Sequence, residues 1–182
     1  LLKPILILCL GNEIASDDGF GPFIASSLLE QGEIDDCVEV VSAALAGFSL
    51  IDLLANRKKT LIVDTIITGR CPPGTVNLFA AGMLTPSKNL ITSHQISLPT
   101  ALTLGKMLGA EMPPLVDIVT VEAEDIETLS ETMTPAVQQA VGKALNLIND
   151  WILLNRIEAT NYGAGEESRP RTFRRAESLP GM

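Results

Sequence analysis

The sequence predicts an α/β fold built on a mixed, mostly parallel sheet of about five strands. Three observations carry this expectation. Short apolar runs of strand length alternate with stretches of helical periodicity. Two of the runs, residues 5–10 and 60–66, place apolar residues on both faces, as strands covered on both sides do. One further pair of runs is separated by too few residues for a crossover helix, which adds an antiparallel strand to the set.

Residues 5–10 (Ile-Leu-Ile-Leu-Cys-Leu) form the first strand. A helix over about 18–31 follows, with Phe20, Phe23, Ile24 and Leu28 at core spacing. Residues 37–41 read as a second strand and 48–54 as a short helix. Residues 60–66 form the third, central strand. Gly69 to Gly74, with Pro72-Pro73-Gly74, turns the chain into a fourth strand at 75–79, expected as the antiparallel neighbour of the third. A helix over about 98–108 tolerates Pro99 in its first turn. Residues 115–121 are the last strand. Thr134 as N-cap and Pro135 at the first helical position open the final helix, whose face is Val137, Val141, Leu145, Ile148 and Ile152.

The 182 residues suit one domain with a proper core. A hydrophobic content of 46% with 19% charged residues is that of a compact globular chain. A net charge of −9 argues against nucleic acid and anionic membrane surfaces as partners, and no apolar run approaches the ~20 residues of a membrane helix. The opening Leu1-Leu2-Lys3-Pro4 does not resemble a signal peptide. Cys9, Cys37 and Cys71 are odd in number and lack CxxC spacing, which fits a reduced, cytoplasmic setting without a sulfur-based zinc site. A monomer is the favoured state. From Arg156 the character changes: five arginines, scattered glutamates and little apolar periodicity read as a disordered tail over 156–182, behind a domain of residues 1–155.

The chemistry concentrates at strand ends. The first strand runs into Gly11-Asn12-Glu13-Ile14-Ala15-Ser16-Asp17-Asp18-Gly19 and so brings an acid pair to the carboxyl edge of the sheet, where ligands bind in open α/β folds. Asp17 reads as a helix cap or dipole partner, a role asparagine also fills. Asp64 ends an apolar central strand and needs a partner or a site. His94 is the only histidine. Asp18, Asp64 and His94 together offer two oxygens and one nitrogen, a set suited to nickel, zinc or manganese with positions left open. Other signatures are missing: Asp64-Thr65-Ile66 is not an Asp-Thr-Gly motif, there is no GxGxxG or GxxxxGK[ST] loop, and Ser93 lacks a nucleophile elbow. Arg57-Lys58-Lys59 reads as a solvated turn.

On these residues the chain resembles the hydrogenase maturation proteases, endopeptidases that finish the large subunit of nickel-iron hydrogenases. The matching pieces are Gly11-Asn12 through Asp17-Asp18-Gly19-Phe20-Gly21-Pro22, Val63-Asp64 with Gly69 and Pro73-Gly74, Ser93-His94, and Thr132-Met133-Thr134-Pro135-Ala136-Val137, in order over residues 4–153. The resemblance implies a three-layer α/β/α sandwich around a twisted, mixed sheet. It also implies nickel contact, and with it catalysis, by Asp18, Asp64 and His94. The implied reaction removes the C-terminal extension of a hydrogenase large-subunit precursor once nickel, held by the precursor rather than kept by the protease, is in place. A metal-dependent hydrolase of small molecules and an inert nickel-binding chaperone are the alternatives.

Overall fold

The computed structural model describes residues 2–32, 34–44, 49–83 and 98–161. Five strands form one sheet: β1 (Ile5–Leu10), β2 (Val38–Ala43), β3 (Lys59–Ile66), β4 (Val76–Ala80) and β5 (Leu115–Glu122). Four helices flank it: α1 (Phe20–Glu30), α2 (Ser49–Leu54), α3 (Leu98–Met107) and α4 (Pro135–Asn161). The sheet order is β2-β1-β3-β5-β4, parallel except for β4 against β5. The mixed, mostly parallel α/β fold is as expected.

Why three layers form is plain from β1. Alternate residues of a strand face opposite sides of the sheet. Ile5, Ile7 and Cys9 join a core with Phe20, Ile24, Val137 and Ile148, under α1 and α4. Leu6, Leu8 and Leu10 join a second core with Leu50, Leu54 and Ala101, under α2 and α3. All of β1 is buried, and burial pushes the Cys9 thiol up to about 12, as suits an inert apolar filler.

Three packing expectations are corrected. β4 is not the neighbour of β3, because β5 lies between them. Residues 67–75 reach the site two strands away, ~10 Å distant, without difficulty, and β5 fills the gap because it too is apolar on both faces. Phe23 is 46% exposed. At ~100° per residue, Phe20, Ile24, Leu28, Gly21 and Ala25 make one buried stripe, and Phe23 falls on the far side of Phe20 from its centre. On α4 the fully buried line is Val137, Ala140, Ala144, Ile148 and Trp151, while Val141, Leu145 and Ile152 flank it half-buried. Trp151 donates its indole N–H to Asp117 at 2.9 Å.

Arg57 is another correction. It is buried rather than solvated, pairs with Glu39, and donates to the Lys3 carbonyl at 2.7 Å, closing the amino edge of the sheet. The expected tail begins within α4, and residues 162–182 lie outside those described. No helix among the described residues is long and apolar enough to cross a membrane.

The close packing of β1 on α1 rests on Gly21. A Cβ there would stand 2.0 Å from the Leu10 carbonyl oxygen, backbone against side chain with nothing flexible to yield. Gly21→Ala is therefore expected to lower unfolding free energy by about 1–3 kcal/mol in urea titrations.

Candidate active site

β1 and β3 run parallel and adjacent, so the turns after them open on the same edge of the sheet. After β1 the chain folds back at once. Asn12 donates its N–H to the Asp18 carbonyl at 3.1 Å, and Gly11, at φ +144°, makes this possible, since a Cβ would lie 2.0 Å from that same oxygen. The result is a tight 3-10 turn, Ser16–Gly19, that carries both aspartates.

The two aspartates do different work. Asp17 is fully buried and caps neither its own turn nor α1. Its carboxylate instead accepts the N–H of Glu124 (2.8 Å), Asp125 (3.0 Å) and Thr134 (2.7 Å) and the Thr134 hydroxyl (3.0 Å). It thus ties the first loop to the exit of β5 and to the start of α4, where the Thr134 carbonyl accepts the first helical bond from Gln138. The reading of Asp17 as a local cap is corrected: it holds Thr134, the residue that precedes a helix more than a hundred residues away. Ser16 sits at φ +48°, a conformation that costs about 1–2 kcal/mol. It is held there by a bond from its N–H to the Ser130 carbonyl at 2.8 Å.

Asp18 is half-buried and turns toward β3. There Thr65 joins the two acids. Its hydroxyl donates to Asp18 Oδ1 at 3.1 Å, and its backbone N–H donates to Asp64 Oδ1 at 2.8 Å. Asp64 is buried, and burial pushes its carboxyl up to about 8; the Thr65 N–H opposes this, and the negative charge of Asp18 adds to it. The structure therefore brings Asp18 and Asp64 together. His94, the third expected ligand, lies outside the described residues, as does Ser93. Among the described residues no group of three His, Cys, Asp or Glu side chains is placed to hold a metal ion.

Glu122 makes a contrast with Asp64. Like Asp64 it is a buried acid ending an apolar central strand. Its carboxylate, however, accepts the Thr68 N–H (2.6 Å), the Thr68 hydroxyl (2.8 Å) and the Gly69 N–H (2.8 Å), and so pins the connection leaving β3. Strand-end placement was the only signal of Glu122 in the sequence, and Thr65 had none beyond its position beside Asp64.

The raised Asp64 carboxyl has a consequence for stability. The folded protein keeps this proton up to about pH 8, while the unfolded chain gives it up from its ordinary value of 3.8. Between those limits the folded state binds more protons, so stability falls as pH rises. Asp64→Asn, which mimics the protonated acid, is expected to remove this slope. In denaturant titrations its stability relative to the native chain should improve from pH 4.5 to pH 8.

A family model described as hydrogenase maturation protease matches residues 22–151. The chain belongs to the hydrogenase maturation protease family. The matched stretch takes in Asp64 and the position of His94, with Asp18 just ahead of it. Among relatives, the hydrogenase 2 maturation protease of Escherichia coli K12 is 29% identical over 148 residues, covering 79% of this chain and 87% of its own. The hydrogenase expression/formation protein HoxM of Cupriavidus necator is 27% identical over 154 residues, covering 81% and 75%. The structure of the hydrogenase maturating endopeptidase HybD from Escherichia coli superimposes with a TM-score of 0.67 at 27% identity, over 87% of this maturation protease and 94% of that chain.

Proposed function

We propose that this protease removes the C-terminal extension of a nickel-iron hydrogenase large-subunit precursor after nickel insertion, and that Asp18, Asp64 and His94 meet the nickel which the precursor carries. The observation that supports this most directly is the juxtaposition of Asp18 and Asp64 through Thr65, in a chain of this family. A buried carboxyl beside a second acid is costly to ionise alone. An arriving cation offsets that cost and releases the proton. Among the described residues Thr65 engages one oxygen of each acid and no bond falls on the other, which leaves a second oxygen on each for a ligand. Two oxygens and an imidazole nitrogen suit nickel. Without a thiolate the set is weak by itself, which fits a metal that arrives on its substrate. The activity is assigned to residues 1–155, with 156–182 outside the catalytic unit.

Incubation with nickel-loaded and nickel-free precursor, followed by product mass, tests the proposal. Shortening of the loaded precursor alone is the expected result. Nickel transfer without a change in mass would make the protein a chaperone, and hydrolysis of small amides without any partner a general hydrolase. Efficient cleavage of nickel-free precursor in chelator would overturn nickel recognition.

Thr65 serves here as a positioning residue. Thr65→Val keeps its shape and removes the hydroxyl bond to Asp18. It is expected to slow cleavage about 10- to 100-fold, with Thr65→Ser restoring most of the rate.

A further inference from the structure

Beside the Asp18 turn, the start of α1 and the segment entering α4 leave a groove of about 370 Å³ between them. Its lining includes Glu13, Ile14, Gly19, Phe23, Glu131 and Met133. Ile14 and Phe23 are 52% and 46% exposed, and among the described residues no basic side chain lines the groove. Glu13 and Glu131 are both exposed. The walls are fixed to each other: Ser130 donates its N–H to the Ile14 carbonyl at 3.0 Å, Ser16 returns a bond to the Ser130 carbonyl at 2.8 Å, and Ala15 and Ser130 form a parallel bridge.

Its position relates it to the acids. Gly19 follows Asp18 directly, and α1 and α4 both follow parallel strands, so both helices begin at the carboxyl edge of the sheet. The groove therefore lies toward the same edge of the sheet as Asp18 and Asp64, with Gly19 in its lining next to Asp18 in the chain. Its volume admits one or two side chains of an extended segment rather than a folded element. Two carboxylates flanking an apolar floor complement a segment that pairs an apolar side chain with a cation.

We infer that this groove seats the precursor chain beside the bond to be cut, with an apolar side chain against Phe23 and Ile14 and a lysine or arginine between Glu13 and Glu131. The inference rests on the precursor-processing reading above. It names the residues that choose where along the precursor the protease acts, apart from the acids that meet nickel.

The test is steady-state cleavage of nickel-loaded precursor by the native protease, by E13Q/E131Q and by E13K/E131K, with melting temperatures to confirm folding. Both substituted positions are exposed surface carboxylates, so the fold should hold. E13K/E131K is expected to raise KM about tenfold or more, well beyond its effect on kcat, with the glutamine pair in between. The inference places a lysine or arginine next to the cut, and replacing it with glutamate should reverse the order, so that the lysine variant works better than the native protease. Phe23→Ser should raise KM independently of salt. Unchanged KM in E13K/E131K, with the native protease active, would overturn the docking inference alone. Failure of the native protease to cleave loaded precursor would overturn the processing reading, and the docking inference with it.

Discussion

Asp18→Ala, Asp64→Ala and His94→Ala are each expected to slow cleavage of nickel-loaded precursor by on the order of 100-fold or more, without loss of fold. The proposed site has three donors, and with one gone the remaining two no longer fix a metal-bearing substrate in one pose. Misplacement on the scale of an ångström is enough for a loss of this size. Asp64→Ala should also release the stability penalty of the buried acid, so a stable but inactive protein is the expected signature at that position. Single-turnover cleavage followed by mass, beside thermal melting of the same samples, checks all three. Normal rates in any two of the variants would remove those residues from the mechanism.

Asp17, one position away, should behave in the opposite way. Asp17→Ala removes a fully buried acceptor and strands three backbone N–H groups and the Thr134 hydroxyl in part-buried places. A fully buried donor left without a partner costs about 1–3 kcal/mol, and these four are part-buried and regain some water, so a loss of about 3–5 kcal/mol in all is expected. That is a large share of the ~5–15 kcal/mol that holds a domain together. Asn does not rescue it. Its amide supplies one acceptor oxygen where two carboxylate oxygens now serve, and it turns an NH₂ group toward donors. Urea titration of Asp17→Ala, Asp17→Asn and Asp18→Ala separates the neighbours: the Asp17 variants unfold early, whereas Asp18→Ala unfolds near the native midpoint.

What the sequence reveals and conceals follows from the range of the interactions. β1 and β3 were legible because a strand buried on both faces leaves a continuous apolar run, as in Ile5 to Leu10. The edge position of β4 was not, because residues 67–75 reach either one or two strands away, and β5, encoded some forty residues later, decides between them. Asp18 and Asp64 were legible as strand-end acids, but so was Glu122, and only its three donors show it to be a strut. Asp17 looked local because its partners, Glu124, Asp125 and Thr134, carry no mark of their own. Phe23 sat at i+3 from a buried Phe20 and so looked apolar-inward, yet the buried stripe turns the other way. In both cases the misreading concealed a residue of consequence, one for the fold and one for the groove.

The convergence of the Glu124, Asp125 and Thr134 amides on a single carboxylate has a dynamic consequence. Groups that share one acceptor cannot come free one at a time without leaving the others in an altered field, so these three amides should open as a unit. In hydrogen–deuterium exchange they are expected to label together, although Asp125 and Thr134 stand apart in the chain. Thr134 also adjoins Met133 in the groove wall, and Asp17 adjoins Asp18. Slower, concerted labelling of the three amides would then report a segment settling into the groove before any bond is cut.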